Sequence, residues 1–294
     1  MTGGTQFERV PPHALLFLAI VAIHVGAGAS VHLFPVIGAD GTVAMRIIFS
    51  ALLLWLFSGT RASFDLLRSV RMHWQLLLVF GFCMAAMNYF FYQAIERIPL
   101  GVAVAIEISG PLTVSAFTSR KASHLGWVAL AATGIVLLTP LSGAELDPVG
   151  IIYALLSGVG WGMFALLSKR VSTLLKGNDG LVLGMTIAAV LMLPVISRVP
   201  LDKLLDPTVL LIGLSVGLLS TAIPFTLEFE ALKRLSAATY GILVSTEPAV
   251  AAVVGAVLLN ERIGLRGVCA VACVVVAAIG LSVCDARDKT SSSA

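Results

Sequence analysis

Charge is what this sequence has least of. Asp, Glu, Lys and Arg make up 12% of its 294 residues while 58% of its side chains are hydrophobic, against about 25% charged in an ordinary soluble domain. With a mean hydropathy of +1.00, that scarcity excludes a water-soluble globule, because a fold of this length keeps much of its surface exposed. The net charge of +3 is small and its basic residues sit in short connectors, which argues against nucleic acid as a partner. Cysteine is scarce too. Cys83, Cys269, Cys273 and Cys284 lie in or at the ends of apolar runs, with no Cys-x-x-Cys pair and no histidine at ligand spacing, so no metal site is expected. Cys269 and Cys273 share a helix face and read as small apolar packing residues. His-Glu-x-x-His, a phosphate loop and a nucleophile elbow are all missing: Ser109-Gly110 follows Glu107 where the last pattern needs glycine. An intramembrane enzyme is therefore a rival without chemistry, and no cofactor is expected.

What the chain does have is long apolar runs. A membrane helix needs about 20 mainly apolar residues, and ten segments meet or approach this at 14–35, 40–58, 74–95, 99–117, 124–141, 148–168, 179–198, 208–232, 238–259 and 264–283. The connectors hold the breakers, among them Gly59, Pro99, Gly143, Gly177, Pro200 and Pro207. The first run resembles a signal peptide in its small residues Gly26 to Ser30, but it continues apolar to Pro35 and reads as a span. The polar, serine-rich residues 284–294 are expected to be a disordered tail on the cytoplasmic side. Arg61, Arg68, Arg71, Arg120, Lys121, Lys169, Arg170, Lys176, Lys233 and Arg234 fall on the same side as the two termini. Arg97, Arg198, Lys203, Arg262 and Arg266 fall opposite. The positive-inside rule then predicts an inner-membrane protein with both termini cytoplasmic and the lipid bilayer as its surroundings.

The two halves echo each other. Ala94-Ile-Glu-Arg-Ile98 aligns with Ala231-Leu-Lys-Arg-Leu235 at an offset of 137 residues, and the same offset carries Pro111 onto Pro248. Val25-Gly-Ala-Gly28 echoes Val159-Gly-Trp-Gly162. A repeat of five spans places its second copy upside down in the bilayer, an arrangement recurrent in secondary transporters with the substrate site near the midplane. The expected fold is all-α, ten transmembrane helices in two inverted five-helix units at 14–141 and 148–283.

Three stretches carry a family likeness: Pro99 to Leu112, with Glu107 and Pro111; Leu219 to Glu228, with Pro224; and Ser245 to Ala252, with Glu247 and Pro248. They resemble the EamA-type exporters of the drug/metabolite transporter superfamily, most of all the bacterial threonine/homoserine exporters, with aromatic amino-acid exporters as relatives. The resemblance implies efflux of small metabolites by proton antiport. Leu259-Asn260-Glu261 departs from it where the family shows Leu-Gly-Glu. Drug-like or nucleotide- and sugar-type metabolites are the alternative substrates, but phosphate charge would call for several buried cations and only Arg46 sits deep in a span.

Ionisable groups inside a membrane cost roughly 2.5–3.5 kcal/mol on insertion scales and are functional candidates by default. Those within spans are Arg46, Glu107, Glu228, Glu230 and Glu247. Glu107 suits a proton switch or a substrate ammonium, or else is a packed carboxylate tied to Arg46. Arg46 can receive a carboxylate through its planar fork, or pair statically with a glutamate. His24 can titrate or simply make a polar contact. Asn88 with Tyr92, and Tyr89 with Gln93, share helix faces at i, i+4; these and Trp161 are candidates for solute recognition, tyrosine at a membrane interface being the plainer alternative. Pro111, Pro224 and Pro248 are predicted helix breaks, each withdrawing the donor from the carbonyl four residues earlier: Glu107, Ser220 and Val244. Gly158/Gly162 and Gly213/Gly217 are spaced for close helix approach. Glu261 and Arg262 read as a solvated helix end.

Overall fold

The computed structural model describes residues 10–57, 64–111, 113, 122–138, 147–175, 179–224, 227, 231, 243–262 and 264–292. Among them there is no strand. The helices are α1 Pro12–Val31, α2 Phe34–Phe57, α3 Phe64–Ile95, α4 Leu100–Glu107, α5 Ala122–Leu138, α6 Pro148–Leu174, α7 Asp179–Ile196, α8 Leu201–Leu204, α9 Pro207–Gly217, α10 Glu247–Leu258 and α11 Leu265–Ser292, with a π-helical turn at Leu218–Ala222 after α9. Each of the ten expected segments holds helix. Pro12–Val31, Phe34–Leu56, Val70–Ile95, Pro148–Ser168 and Asp179–Ile196 are long and apolar enough to cross a membrane.

The helix starts follow simple chemistry. Asp147 accepts a hydrogen bond from Val149 N–H with Pro148 in the first turn, and Asp206 accepts from Thr208 and Val209 N–H ahead of Pro207. Asp supplies the acceptor the first turn needs, and proline there loses no intrahelical bond. Those two N–H groups hold the Asp206 carboxyl below the usual carboxylate range. Large apolar side chains face outward on most helices, including Leu18, Leu52, Leu56, Phe82, Val159, Val190, Leu211, Val253 and Val257. Water would not tolerate that exterior, whereas lipid does.

Some boundaries differ from the expectation. The fourth segment is interrupted, with α4 ending at Glu107 and a turn at Ile108. In the ninth, a turn at Ser245–Thr246 precedes α10. Two further bends had no proline to announce them: Gly38, with φ +71°, separates a first turn from the main length of α2, and His73 breaks α3. The four-residue α8 between Pro200 and Pro207 was not anticipated. α11 runs helical to Ser292, through polar residues expected to fray; no glycine or proline interrupts them.

In the packing, α3 lies against α6 and α7, α2 against α7, α4 against α10, α1 against α10, and α5 against α11. Gly158, Gly213 and Gly217 allow close approach. A Cβ on Gly158 would lie 2.7 Å from the Glu107 carbonyl oxygen, and one on Gly217 would lie 3.0 Å from Phe49 Cβ. The main apolar core joins α2, α3, α4, α6, α7 and α10.

Candidate functional site

A cavity of about 280 Å³ opens among these helices, lined by His24, Arg46, Asn88, Glu107, Trp161 and Glu247 together with Ser220, Thr221, Val244 and apolar residues such as Met84, Phe91 and Phe164. Small-molecule pockets run from about 300 to 1,000 Å³, so a solute of modest size is the natural occupant. Six of the eight side chains picked out as substrate-binding or coupling residues meet here.

The cation is held from two sides by α3. Arg46 Nη1 donates to Asn88 Oδ1 at 2.7 Å, and Asn88 Nδ2 donates to the Met84 carbonyl at 2.8 Å. The guanidinium carbon lies 5.3 Å from the centroid of the Tyr92 ring, within cation–π range. Among the described residues no glutamate comes within ion-pair distance of Arg46, and its buried Nε has no hydrogen-bond partner. Glu228 and Glu230 lie outside the described residues.

Tyr89 and Tyr92 do not line the cavity. Tyr92 is fully buried behind Arg46, with Phe34 at 6.1 Å, and so backs the guanidinium. Tyr89 lies beside Asp40, to which Gln93 Nε2 donates at 2.7 Å. The two i, i+4 pairs on α3 thus each meet one charged residue of α2. Asp40 and Gln93 belong to a second pocket of about 270 Å³ shared with Gly38, Glu96 and Arg198.

Two carboxylates enter the central cavity on interrupted helices. Glu107 is the last residue of α4 and Glu247 the first of α10. Ser157 Oγ of α6 contacts both Glu107 Oε1 and the Met87 carbonyl, the latter at 2.7 Å. Glu247 Oε2 lies 4.0 Å from His24 Nε2. His24 is 3% exposed, and neither ring nitrogen has a hydrogen-bond partner among the described residues. The three predicted helix-break prolines share one consequence. Glu107, Ser220 and Val244, each four residues before Pro111, Pro224 or Pro248, all line the cavity. Irregular backbone at membrane depth is tolerated where it faces a cavity, and these three breaks do.

Ser157, Ser220 and Thr221 were not singled out from the sequence as binding side chains, the only hint being the position of Ser220 before Pro224. Glu261 was misread as a solvated helix end. Both its carboxylate oxygens accept the Leu100 N–H, at 3.1 and 3.0 Å, capping α4 from across the fold. Asn260 has φ +54°, the left-handed conformation that glycine or asparagine takes at a helix C-terminus, which accounts for asparagine where the family shows glycine.

Comparison with known proteins gives the family. Residues 148–283 match the EamA-like transporter family. The threonine/homoserine exporter RhtA of Salmonella typhimurium is 35% identical over 293 residues, covering 98% of this chain and 97% of that protein. RhtA of Escherichia coli K12 is 35% identical over 92% of this chain and 90% of that one. The uncharacterized transporter YwfM of Bacillus subtilis is 24% identical over 75% of this chain and 77% of its own. A solved crystal structure superposes with a TM-score of 0.60 over 94% of this chain and 98% of that one; at 16% identity the likeness is of fold alone. A multi-pass membrane transporter rather than an enzyme, the chain belongs to the EamA-like transporter family.

Proposed function

We propose that the protein exports small amino acids of the threonine/homoserine class across the inner membrane, in exchange for protons and by alternating access to the central cavity. The observation that carries this reading is the separation of charge within one cavity. Arg46, fixed by Asn88 and Tyr92 on one wall, faces a space that also receives Glu107 and Glu247 from two broken helices. An amino acid has complementary ends, a carboxylate for the guanidinium fork and an ammonium for a carboxylate. The RhtA relatives supply the substrate class and the direction of transport. The same reading takes the ten helical segments as two inverted sets of five, with both termini cytoplasmic.

The contact among Glu107, Ser157 and Met87 supports a proton as the counter-ion. Serine has a single hydroxyl proton. When Glu107 is ionised it competes with the Met87 carbonyl for that proton. When Glu107 is protonated it donates to Ser157, which is then free to donate to Met87. Loading a proton therefore resets a contact between α3 and α6, the kind of local two-state element that a coupled transporter requires.

Aromatic amino acids are the second reading, favoured by Trp161, Phe91 and Phe164 in the lining. Phosphorylated solutes fit poorly, because Arg46 is the only cation lining the cavity among the described residues. Purified protein in liposomes with an imposed pH gradient, offered labelled threonine, phenylalanine and a phosphorylated sugar, separates the three. Threonine accumulation that collapses with the gradient is expected. Accumulation of the sugar phosphate in its place overturns the reading.

A further inference from the structure

His24, Arg46, Tyr92 and Ser220 hold buried polar side-chain atoms with no hydrogen-bond partner among the described residues. Arginine keeps its charge near neutral pH, and tyrosine and serine keep their protons. Histidine is the one among them whose proton comes and goes there. His24 has both ring nitrogens bare, and the exchange at Glu107 makes no use of it. Its neighbour is the other acid of the cavity: Glu247 Oε2 lies 4.0 Å from the ring Nε2.

The pair is built into the helix packing. α1 lies against α10, and a Cβ on Gly28, one turn past His24, would lie 3.3 Å from Val254 Cγ1 and 3.4 Å from Leu258 Cδ1. Val254 follows Glu247 by about two turns. The backbones thus set ring and carboxylate side by side. Glu247 is the accessible member: it lines the cavity with a side chain 14% exposed, whereas that of His24 is 4% exposed. Among the described residues no other acid reaches the ring. The π-helical turn and α9, which also pack on α1, contain no ionisable group. Glu107 of α4 is not within ion-pair distance of His24, and Arg46 and Asp40 of α2 are engaged by side chains of α3.

Such a pair accommodates a proton and also its absence. Ionised, Glu247 sits in the first turn of α10, where a helix end favours an anion. Protonated, it can turn its O–H to the imidazole lone pair, and a small approach from 4.0 Å closes the bond. The ring is neutral in both states, so no cation is left buried. An arriving ammonium pairs with the carboxylate, and the displaced proton leaves to water on the side to which the cavity is open. One positive charge replaces another on the same group. We propose that His24 and Glu247 hold a second exchanged proton, shared as a pair and displaced by the substrate ammonium, so that each amino acid is exchanged for two protons, one on Glu107 and one on this pair. The assignment rests on the exporter reading above and goes beyond it, naming the carrier of a second proton and the ratio it imposes.

The ratio is measured where net flux vanishes. In proteoliposomes with the membrane potential held at zero by potassium and valinomycin, one pH unit balances about a tenfold threonine gradient for each proton exchanged. Wild-type protein should therefore balance about a hundredfold gradient per pH unit, and His24→Ala and Glu247→Gln about a tenfold one. Weakened packing slows transport but does not move this balance point, which stoichiometry alone sets. A wild-type balance near tenfold, an arm that needs no variant to fold, overturns the inference and leaves the exporter reading standing. So does a His24→Ala protein that keeps the wild-type balance. Failure to take up any amino acid overturns the exporter reading and this inference with it.

Discussion

α2 and α3 meet at two polar stations built on one plan and put to different ends. At each, two α3 side chains a turn apart meet one charged residue of α2: Asn88 and Tyr92 at Arg46, and at Asp40 Gln93, which donates to it, with Tyr89 beside. Around Asp40 the charges are mixed locally, with Glu96 and Arg198 in the same pocket. Around Arg46 they are kept apart, cation on one wall and carboxylates on others. A station that mixes both signs offers a ligand little separated charge. One whose charges are held apart by rigid partners has work left for a ligand. On the proposed function, the Arg46 cavity is the one suited to a ligand with two charged ends, and the Asp40 pocket is not.

Removing a carboxylate from each station should give the largest contrast. Glu107→Gln is expected to reduce counterflow to background, while Glu96→Gln retains most of it; equal losses in the same liposome assay would erase the distinction. Glu261, which caps α4, is unsuitable as the control because its loss also disturbs the helix that carries Glu107. Next in size, Arg46→Lys keeps the charge but loses the planar fork and should raise the half-saturating threonine concentration roughly tenfold. Asp40→Asn, outside the central cavity, should change it by less than about twofold. The smallest effect is expected at Tyr92→Phe. The Tyr92 hydroxyl is buried without a partner among the described residues, and the ring rather than the hydroxyl backs Arg46. Thermal unfolding in detergent should show unchanged or slightly raised stability, whereas a clear drop would mean that the hydroxyl has a role in holding the station.

The polar residues that stood out in the sequence did so because apolar surroundings make a charge or an amide conspicuous. His24, Arg46, Asn88, Glu107 and Glu247 were found that way, and Pro111, Pro224 and Pro248 marked the irregular backbone. The limits are as physical as the successes. The i, i+4 spacing told that Asn88 and Tyr92 share a face, but not that the face meets Arg46 or that the ring lies behind it. Serine and threonine were illegible because most of them satisfy themselves on their own helix. Nothing local separates Ser220, which has no such bond, from Ser30, which does. Glu261 was misjudged because its partner, Leu100, is 161 residues away, a distance no local pattern spans.

That last contact has a mechanical consequence. The carboxylate at the end of α10 is clasped to the first amide of α4, and it packs directly against Gly255, where a Cβ would meet it. The two interrupted helices, each bringing one carboxylate to the cavity, are thereby riveted at one end. Neither helix can be displaced at that end without breaking the clasp or carrying the other with it.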